Sequence, residues 1–376
     1  MNGIRRQGLC LALHHMDWVR ADDPRAAVAR TLEIGRVADA AGVDALWVSE
    51  DPDGWDAFGV LGALATVTDH IRLGTGVANP YYRHPSLLAA SVATLDQLSG
   101  GRSFLGLGRG QVEWYREALG IAAERPLAAL RETFDLLRAW WSPPYQAAVA
   151  GNAGDTVFPV RGWERTVAPV QTPPGPPVYL AAVGPKALAL AGRLADGVVF
   201  NDFASETFLE EAIGTVRESA RDAGRDPAAF RFMARAGVLV TDDPEPVLER
   251  RKAHLALINS LPGMDWLLAE PGFDIPAIMA NVRRTMCTDE VLARGGGFPE
   301  MRRAGDLAAA SAAIPTELMA RLTVVGPLAE VRERLRSLVE IGVTDVFVFP
   351  PEPGEAAEEY RERLRELTEG DTGSSG

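Results

Sequence analysis

Two histidines and two carboxylates follow short apolar segments in the first part of the chain. His14 and His15 come directly after one apolar run, and Glu50 and Asp51 end another. Histidine changes its charge near neutral pH, and a carboxylate beside a second carboxylate can have its pKa raised. These residue types therefore predict proton transfer, although ordinary polar loop residues would give the same pattern. If the first run continues as a strand, His14 and His15 point to opposite faces, so at most one of them can serve.

A second candidate site is the sequence Ala182-Val183-Gly184-Pro185-Lys186. Pro185 is favoured in the first turn of a helix. The free amides at a helix start, here those of Val183 and Gly184, attract an anion such as phosphate. Lys186 would add a positive charge. A plain helix start would have the same residues, so the spacing leaves both interpretations open.

Several common catalytic motifs do not occur in the sequence. The five histidines form no HxxxH pair and show no Cys/His spacing typical of zinc, so no metal site is predicted. Neither a Gly-x-Ser-x-Gly elbow nor a Walker A loop occurs. The run 106–110 is similar to a dinucleotide-binding loop, but the third glycine of that motif would be Gln111. We interpret the glycines, Gly108 among them, as letting a flat ligand approach a strand closely.

Eight short apolar runs recur along the chain, and segments with helical spacing separate them. The runs are continuous rather than alternating, as expected for parallel strands that are buried on both faces. Apolar residues at Ile34, Val37, Ala38 and Ala41, followed by Gly42, are typical of a helix and its C-terminal end. The predicted strands are 8–13, 45–49, 71–77, 103–108, 178–182, 197–200, 232–240 and 345–349.

This order of elements predicts an α/β fold, the (β/α)8 TIM barrel, since a strand–helix unit repeats eight times and ends on a helix. A doubly wound open sheet is the rival. Two long segments, at about 142–177 and 261–323, are predicted to be insertions in a single domain of residues 1–369. They would be lids, oligomer contacts or plain additions. Residues 370–376 are predicted to be a flexible tail. In such a barrel the active site forms where the strands end.

The composition limits the classes of partner. A formal net charge of −13 and the lack of basic runs exclude nucleic acid. No apolar stretch reaches the length of about 18 residues that a membrane span requires. Cys10 and Cys287 are the two cysteines, and Cys10 lies in an apolar run where it is expected to be buried. Without a disulfide framework or a signal peptide, the chain is expected in the cytoplasm.

Several longer blocks add a resemblance to a known family. They are IRLGTGVANP at 71–80, RHP at 83–85, TLDQLSGGR at 94–102, LGLG at 105–108, GPK at 184–186 and ADGV at 195–198. In this order and at these barrel positions, the chain resembles the luciferase-like flavin and deazaflavin oxidoreductases, which are TIM barrels. The resemblance extends over roughly residues 5–345, with the long insertion set aside.

The resemblance implies a cofactor whose planar tricyclic ring lies across the barrel mouth. The ring would rest on a bulge in the third strand, with a non-proline cis peptide at Gly76–Val77. The cofactor's phosphate would lie at the helix start described above. The cofactor-binding residues implied in this way are Trp55, Thr75, Gly76, Val77, Asn79, Gly108, Ala182, Val183, Gly184 and Lys186.

Members that depend on coenzyme F420 resemble the chain more closely than the FMN-dependent luciferases do. In sugar-phosphate-type F420 dehydrogenases, a Ser-Asp-His stretch followed by Trp aligns with residues 49–51 and Trp55, so their His is Asp51 here. Their catalytic Glu after the fourth strand aligns with Gln111, a neutral amide that cannot exchange protons near pH 7. The resemblance therefore implies hydride transfer between F420 and a small organic substrate other than a sugar phosphate. The candidate catalytic residues are Glu50, Asp51, His14 and Gln111.

Two alternatives stay open at this point. One is an FMN-dependent monooxygenase that works with a separate flavin reductase. The other is a non-catalytic flavin-binding or ligand-binding protein, since the acid–base pair of the dehydrogenases is replaced. Family members are often dimeric, so a homodimer is expected, and a flavin or F420 reductase is a possible partner. Arg83, Arg109 or Lys186 could guide the acidic tail of F420 on this acidic protein.

Overall fold

Eight parallel strands pair in a ring in the computed structural model of the protein. Each strand pairs with the next along the chain, and the last pairs with the first, with Gly8 opposite Asp345. This closure confirms the predicted (β/α)8 barrel and excludes the open sheet. The barrel strands are β1 Gly8–Leu13, β2 Ala45–Val48, β3 Arg72–Thr75, β4 Ser103–Leu107, β5 Val178–Ala181, β6 Gly197–Val199, β7 Arg231–Val240 and β8 Asp345–Val348.

The structure describes residues 7–14, 23–51, 54–110, 115–116, 119–148, 156–164, 169–171 and 174–368. Its helices often begin with a proline in the first turn or with a capping side chain, as Asp56 shows by accepting from the Gly59 amide. The helices are α1 Pro24–Ala41, α2 Ala57–Ala65, α3 Pro85–Ser99, α4 Pro126–Trp141, α5 Pro185–Leu194, α6 Glu206–Asp222, α7 Glu245–Ile258, α8 Ile275–Thr285, α9 Thr288–Leu292, α10 Phe298–Ala304, α11 Leu307–Ala312, α12 Thr316–Leu322, α13 Leu328–Ile341 and α14 Ala357–Thr368.

Helices α7 to α12 form a group between β7 and β8. Helix α7 packs against α10, α11 and α12, and the sequence pattern did not predict it. Its buried side includes Lys252, whose ammonium group contacts Glu249 at 2.6 Å and donates to Thr316 at 2.8 Å. A charged residue on the buried face interrupts the apolar periodicity that marks the other helices. In the other long segment, residues 146–147 pair with 163–164 as a short antiparallel ladder.

Aromatic side chains fill the middle of the barrel. Trp47 is fully buried there, with ring centroids 4.4 Å from Phe104, 5.8 Å from Tyr179 and 5.7 Å from Phe347. Cys10 lies in the same cluster with no exposed surface, which confirms its expected burial. A larger apolar layer packs the strands against the surrounding helices. Within the described ranges, no helix is both long and apolar enough to cross a bilayer.

A charged layer closes the barrel at the end where the strands begin. Asp345, with no exposed surface, accepts from Arg231 Nε at 3.0 Å and from Thr344 Oγ1 at 2.6 Å, and Arg231 Nη2 contacts its second oxygen. Gly8 leaves room for this carboxylate, because a Cβ at position 8 would lie 2.2 Å from Asp345 Oδ1. The ion pair joins β7 to β8 directly beside the strand pair that closes the ring.

This layer makes Asp345→Asn a strong test of barrel closure. The change keeps the shape of the side chain but leaves Arg231 without its counter-charge, so we expect the unfolding free energy to fall by about 3–5 kcal/mol. Urea unfolding followed by circular dichroism measures the loss. The control is Glu33→Gln, which removes the exposed pair with Arg36 and should change stability by less than about 0.5 kcal/mol. A loss of under about 1 kcal/mol for Asp345→Asn would contradict this account of the layer.

Candidate active site

The barrel mouth is irregular where β3 ends. The strand ends at Thr75, and the Gly76–Val77 peptide bond that follows is cis. Ala78 then pairs with Leu107 of β4. The cis bond confirms what the resemblance implied for this position. Gly76 and Val77 are both half-buried at the rim. The chain thus makes a short bulge that faces the space above the aromatic cluster, beside residues of β2 and β4.

Gly106 of β4 and Gly108, just after this strand, make room for this bulge. A Cβ at Gly106 would lie 2.0 Å from the Thr75 carbonyl oxygen, and one at Gly108 would lie 2.7 Å from Val77 Cγ2. Protein atoms therefore occupy the space that a side chain would need at these positions. We interpreted these glycines as leaving room for a flat ligand. The structure gives a different reason for them, because the atoms that a side chain would meet belong to β3 and its bulge.

Two polar residues expected at the cofactor site hold the loop together instead of opening toward solvent. Thr75, with no exposed surface, donates from Oγ1 to the Gly106 carbonyl at 2.7 Å. Asn79, also buried, donates to the Tyr115 hydroxyl at 3.1 Å and accepts from the amides of Tyr81 and Tyr82. Their side chains fix the path of the chain after β3, and so fix the bulge.

The start of α5 has the features of an anion site. Gly184 is its N-cap, has no side chain to cap the first turn, and is exposed. A Cβ at Gly184 would meet nothing within 4 Å, so there is room beside the first-turn amides. Lys186 is exposed, Val183 is half-buried, and Ala182 is buried beneath them. These residues fit a phosphoryl group, which the amides and the helix dipole would attract.

Glu50 belongs to an ion-pair network with Arg83 and Asp56. Its Oε1 accepts from Arg83 Nε at 2.6 Å, and Arg83 also contacts Asp56, the N-cap of α2, and stacks on Phe58. Glu50 Oε2 is buried and has no hydrogen-bond partner among the described residues. The network joins the end of β2 to the loop after β3. Arg83, considered above as a guide for an acidic cofactor tail, therefore has two carboxylates of the protein as partners.

Burial raises the pKa of Glu50, and the attraction to Arg83 offsets this only in part. A buried carboxylate with a raised pKa is able to give or take a proton nearer neutral pH than an exposed one. Asp51 and Trp55 are half-buried beside it, and His14 is half-buried just after β1. Gln111 and His15 lie outside the described residues.

A second charged group, whose assembly the sequence pattern did not predict, lies on the opposite side of the mouth. Asp202 follows β6, and its carboxylate lies 2.8 Å from Arg235 Nε, 3.9 Å from Arg251 Nη2 and 4.0 Å from His254 Nε2. Burial raises the pKa of Asp202, but the three bases outweigh this effect and hold it at about 2. An arginine within the otherwise apolar run 232–240 was the available signal. No set of three or more metal-binding side chains occurs in the part of the chain that the structure describes.

The chain belongs to the luciferase-like monooxygenase family, whose model matches residues 7–345. This confirms the resemblance read from the sequence blocks. A 5,10-methylenetetrahydromethanopterin reductase of Methanolobus tindarius is 28% identical over 340 residues, which cover 87% of this chain and 92% of the reductase.

Solved structures of the same fold span almost the whole chain. The coenzyme F420-dependent tetrahydromethanopterin reductase of Methanopyrus kandleri matches with a TM-score of 0.71 at 23% identity, over 96% of this chain and 98% of that one. The monooxygenase RslO1 of Streptomyces bottropensis matches with a TM-score of 0.65 at 19% identity, over 96% and 97%. At these identities the matches establish the barrel fold.

The raised pKa of Glu50 predicts how Glu50→Gln changes stability with pH. A carboxyl whose pKa is raised on folding stabilises the fold below its unfolded pKa, and that contribution is lost as pH rises through the folded pKa. Glutamine has no such dependence, so the variant should gain stability relative to the unmodified protein as the pH rises from about 4, the ordinary pKa of a glutamate, through neutrality. Urea unfolding of both proteins across this range measures the difference. If the difference in unfolding free energy does not change with pH, or if it falls as the pH rises, the attraction to Arg83 outweighs burial in setting the pKa of Glu50.

Proposed function

We propose that the protein is an F420-dependent oxidoreductase that transfers a hydride between the deazaflavin and a small organic substrate. The observation that carries this proposal is the combination of the Gly76–Val77 bulge with the uncapped helix start at Gly184. Both lie where parallel strands end, which is where barrel enzymes bind their ligands. The similarity to a reductase along most of its length supports the same reading.

Different residues of the mouth would bind different parts of the cofactor. The start of α5 would hold the phosphate, and the bulge after β3 would support one face of the ring. When bound, the deazaflavin supplies hydride transfer, while the protein supplies position and electrostatics. Glu50, buried next to the mouth with one oxygen unpaired, is the described residue best placed to hold a proton. Asp51 and His14 are further candidates.

The substrate is proposed to differ from that of the sugar-phosphate dehydrogenases. The family resemblance aligns Asp51 and Gln111 with the acid–base pair of those enzymes, and an amide cannot replace a carboxylate in proton transfer. An FMN-dependent monooxygenase is the second candidate function, favoured by the family description and by the fold match to RslO1.

A homodimer stays a prediction of the resemblance, and light scattering coupled to size-exclusion chromatography would test it.

Cofactor titration separates these functions. Purified protein mixed with F420 or with FMN is passed over a desalting column, and the absorption spectrum and fluorescence quenching of the protein fraction are recorded. We expect retention of F420 and little retention of FMN. Retention of FMN alone would favour the monooxygenase. Binding of neither would contradict both enzymatic functions and leave a ligand-binding role.

Gly184→Asp tests the phosphate site. An aspartate at an N-cap stabilises a helix, so the variant should fold at least as well as the unmodified protein. Its carboxylate would occupy the anion position and repel the cofactor phosphate, so the Kd for F420 should rise by about tenfold or more. The matched control is Gly214→Asp on the exposed face of α6, where a Cβ also meets nothing within 4 Å. Unchanged F420 affinity in Gly184→Asp would mean that the phosphate binds elsewhere.

A further inference from the structure

We propose that Arg235, Arg251 and His254, gathered around Asp202, bind the carboxylate of an organic acid that is the substrate at the barrel mouth. We refer to these four residues as the basic cluster. The inference rests on the proposed function, since it assigns the substrate side of the same mouth. The binding of an organic acid can nevertheless be measured without any cofactor.

The position of Arg235 places the basic cluster at the mouth. Met233, two residues earlier on β7, belongs to the aromatic cluster inside the barrel, and the Arg235 guanidinium lies 5.0 Å from the ring centroid of Phe347 in the same cluster. The pairing of β7 with β8 shifts register just after this point, and Gly237 has a φ of 63°. Such a bulge redirects side chains beside a site. In a ring of eight strands, β7 lies four strands from β3, so Arg235 and the Gly76–Val77 bulge lie on opposite sides of the barrel.

The charges of the basic cluster do not balance. Among the described residues, Asp202 is the one carboxylate that contacts both arginines, so a single negative charge is shared there between two permanently positive groups. Burial lowers the pKa of His254, and Arg251, Arg235 and Arg302 of α10 lower it further against the opposing effect of Asp202. His254 is therefore neutral near pH 7. The basic cluster has a net charge of about +1 in a protein whose formal net charge is −13.

Hydrogen-bond donors in the basic cluster lack acceptors. Of the three guanidinium nitrogens of Arg235, only Nε lies within hydrogen-bond distance of Asp202. Nε and Nη2 of Arg251 are buried with no hydrogen-bond partner among the described residues. The side chains of Arg235 and Arg251 are 20% and 16% exposed, so a ligand can contact the exposed part of each side chain, and Nε and Nη2 of Arg251 lie beneath that surface. A planar carboxylate matches the forked geometry of a guanidinium better than a neutral group does.

Aromatic rings surround the charged groups and indicate what the rest of the ligand is like. Arg251 lies 4.7 Å from the ring centroid of Phe203 and 6.0 Å from that of Phe349, while Arg235 lies on Phe347. A carboxylate attached to a flat apolar body would satisfy both parts of this surface. Benzoate is the simplest probe with that chemistry, and benzamide is its neutral equivalent of the same shape.

The experiment is calorimetric titration of benzoate and benzamide into the full-length protein, with and without F420. We expect benzoate to bind at least about tenfold more tightly than benzamide. Arg235→Gln and Arg251→Gln should each weaken benzoate binding by about tenfold or more, with Arg235→Lys falling between. The matched control is Arg225→Gln, since Arg225 also pairs with an aspartate, Asp196, and stacks on a phenylalanine, but at the opposite end of the barrel. Its benzoate affinity should not change.

The outcomes separate this inference from the proposed function. Equal binding of benzoate and benzamide, or benzoate binding that survives both Arg235→Gln and Arg251→Gln, would overturn the assignment. Arg251→Gln keeps the Arg235–Asp202 hydrogen bond, so the test holds even if Arg235→Gln does not fold. The Kd for F420 in Arg251→Gln should stay within about threefold of the unmodified value. If F420 fails to bind while benzoate follows the expected order, the proposed function fails and the carboxylate site stands.

Discussion

The pairing of β1 with β8 is the constraint on which the rest of the structure depends. Because the ring closes, every strand ends at the same rim, and residues from distant parts of the sequence meet there. Glu50 after β2, the bulge after β3, Gly184 before α5 and Arg235 in β7 share that rim only for this reason. The ion pair between Arg231 and Asp345 stabilises the ring at its other end, and the aromatic cluster around Trp47 fills the space between.

The shape of the mouth follows from close packing between two neighbouring strands. Gly106 of β4 and Gly108, just after this strand, lack the side chains that would collide with Thr75 and Val77. This allows β3 to turn into its bulge directly against β4, and Thr75 and Asn79 hold the following chain with hydrogen bonds. The bulge at this part of the mouth is therefore made of backbone and small residues. That arrangement suits a cofactor whose ring carries the redox chemistry and needs the protein mainly for position.

The electrostatics of the mouth oppose the charge of the whole molecule. The formal net charge of the protein is −13, but the start of α5 presents amides and Lys186, and the basic cluster presents two arginines against one carboxylate. Positive regions within an acidic surface concentrate anions where they are needed. Glu50 is the exception, because Arg83 balances its charge while burial raises its pKa. The mouth thus has electropositive regions on two sides and one buried carboxyl between the ends of β2 and β3.

The sequence alone determined the barrel, because continuous apolar runs and helical spacing are local patterns that barrel closure does not alter. It also located the helix start at Gly184 and, through family blocks, the cis bond at Gly76–Val77, since these depend on a few consecutive residues. Only the tertiary structure decided which charges meet. Arg83 is 33 residues from Glu50, and Arg235 is 33 residues from Asp202, and no local pattern couples such distant side chains. The sequence pattern did not predict helix α7 for a related reason. Lys252 is buried in this helix because Glu249 and Thr316 bind it, and Thr316 lies close to it only in the folded chain.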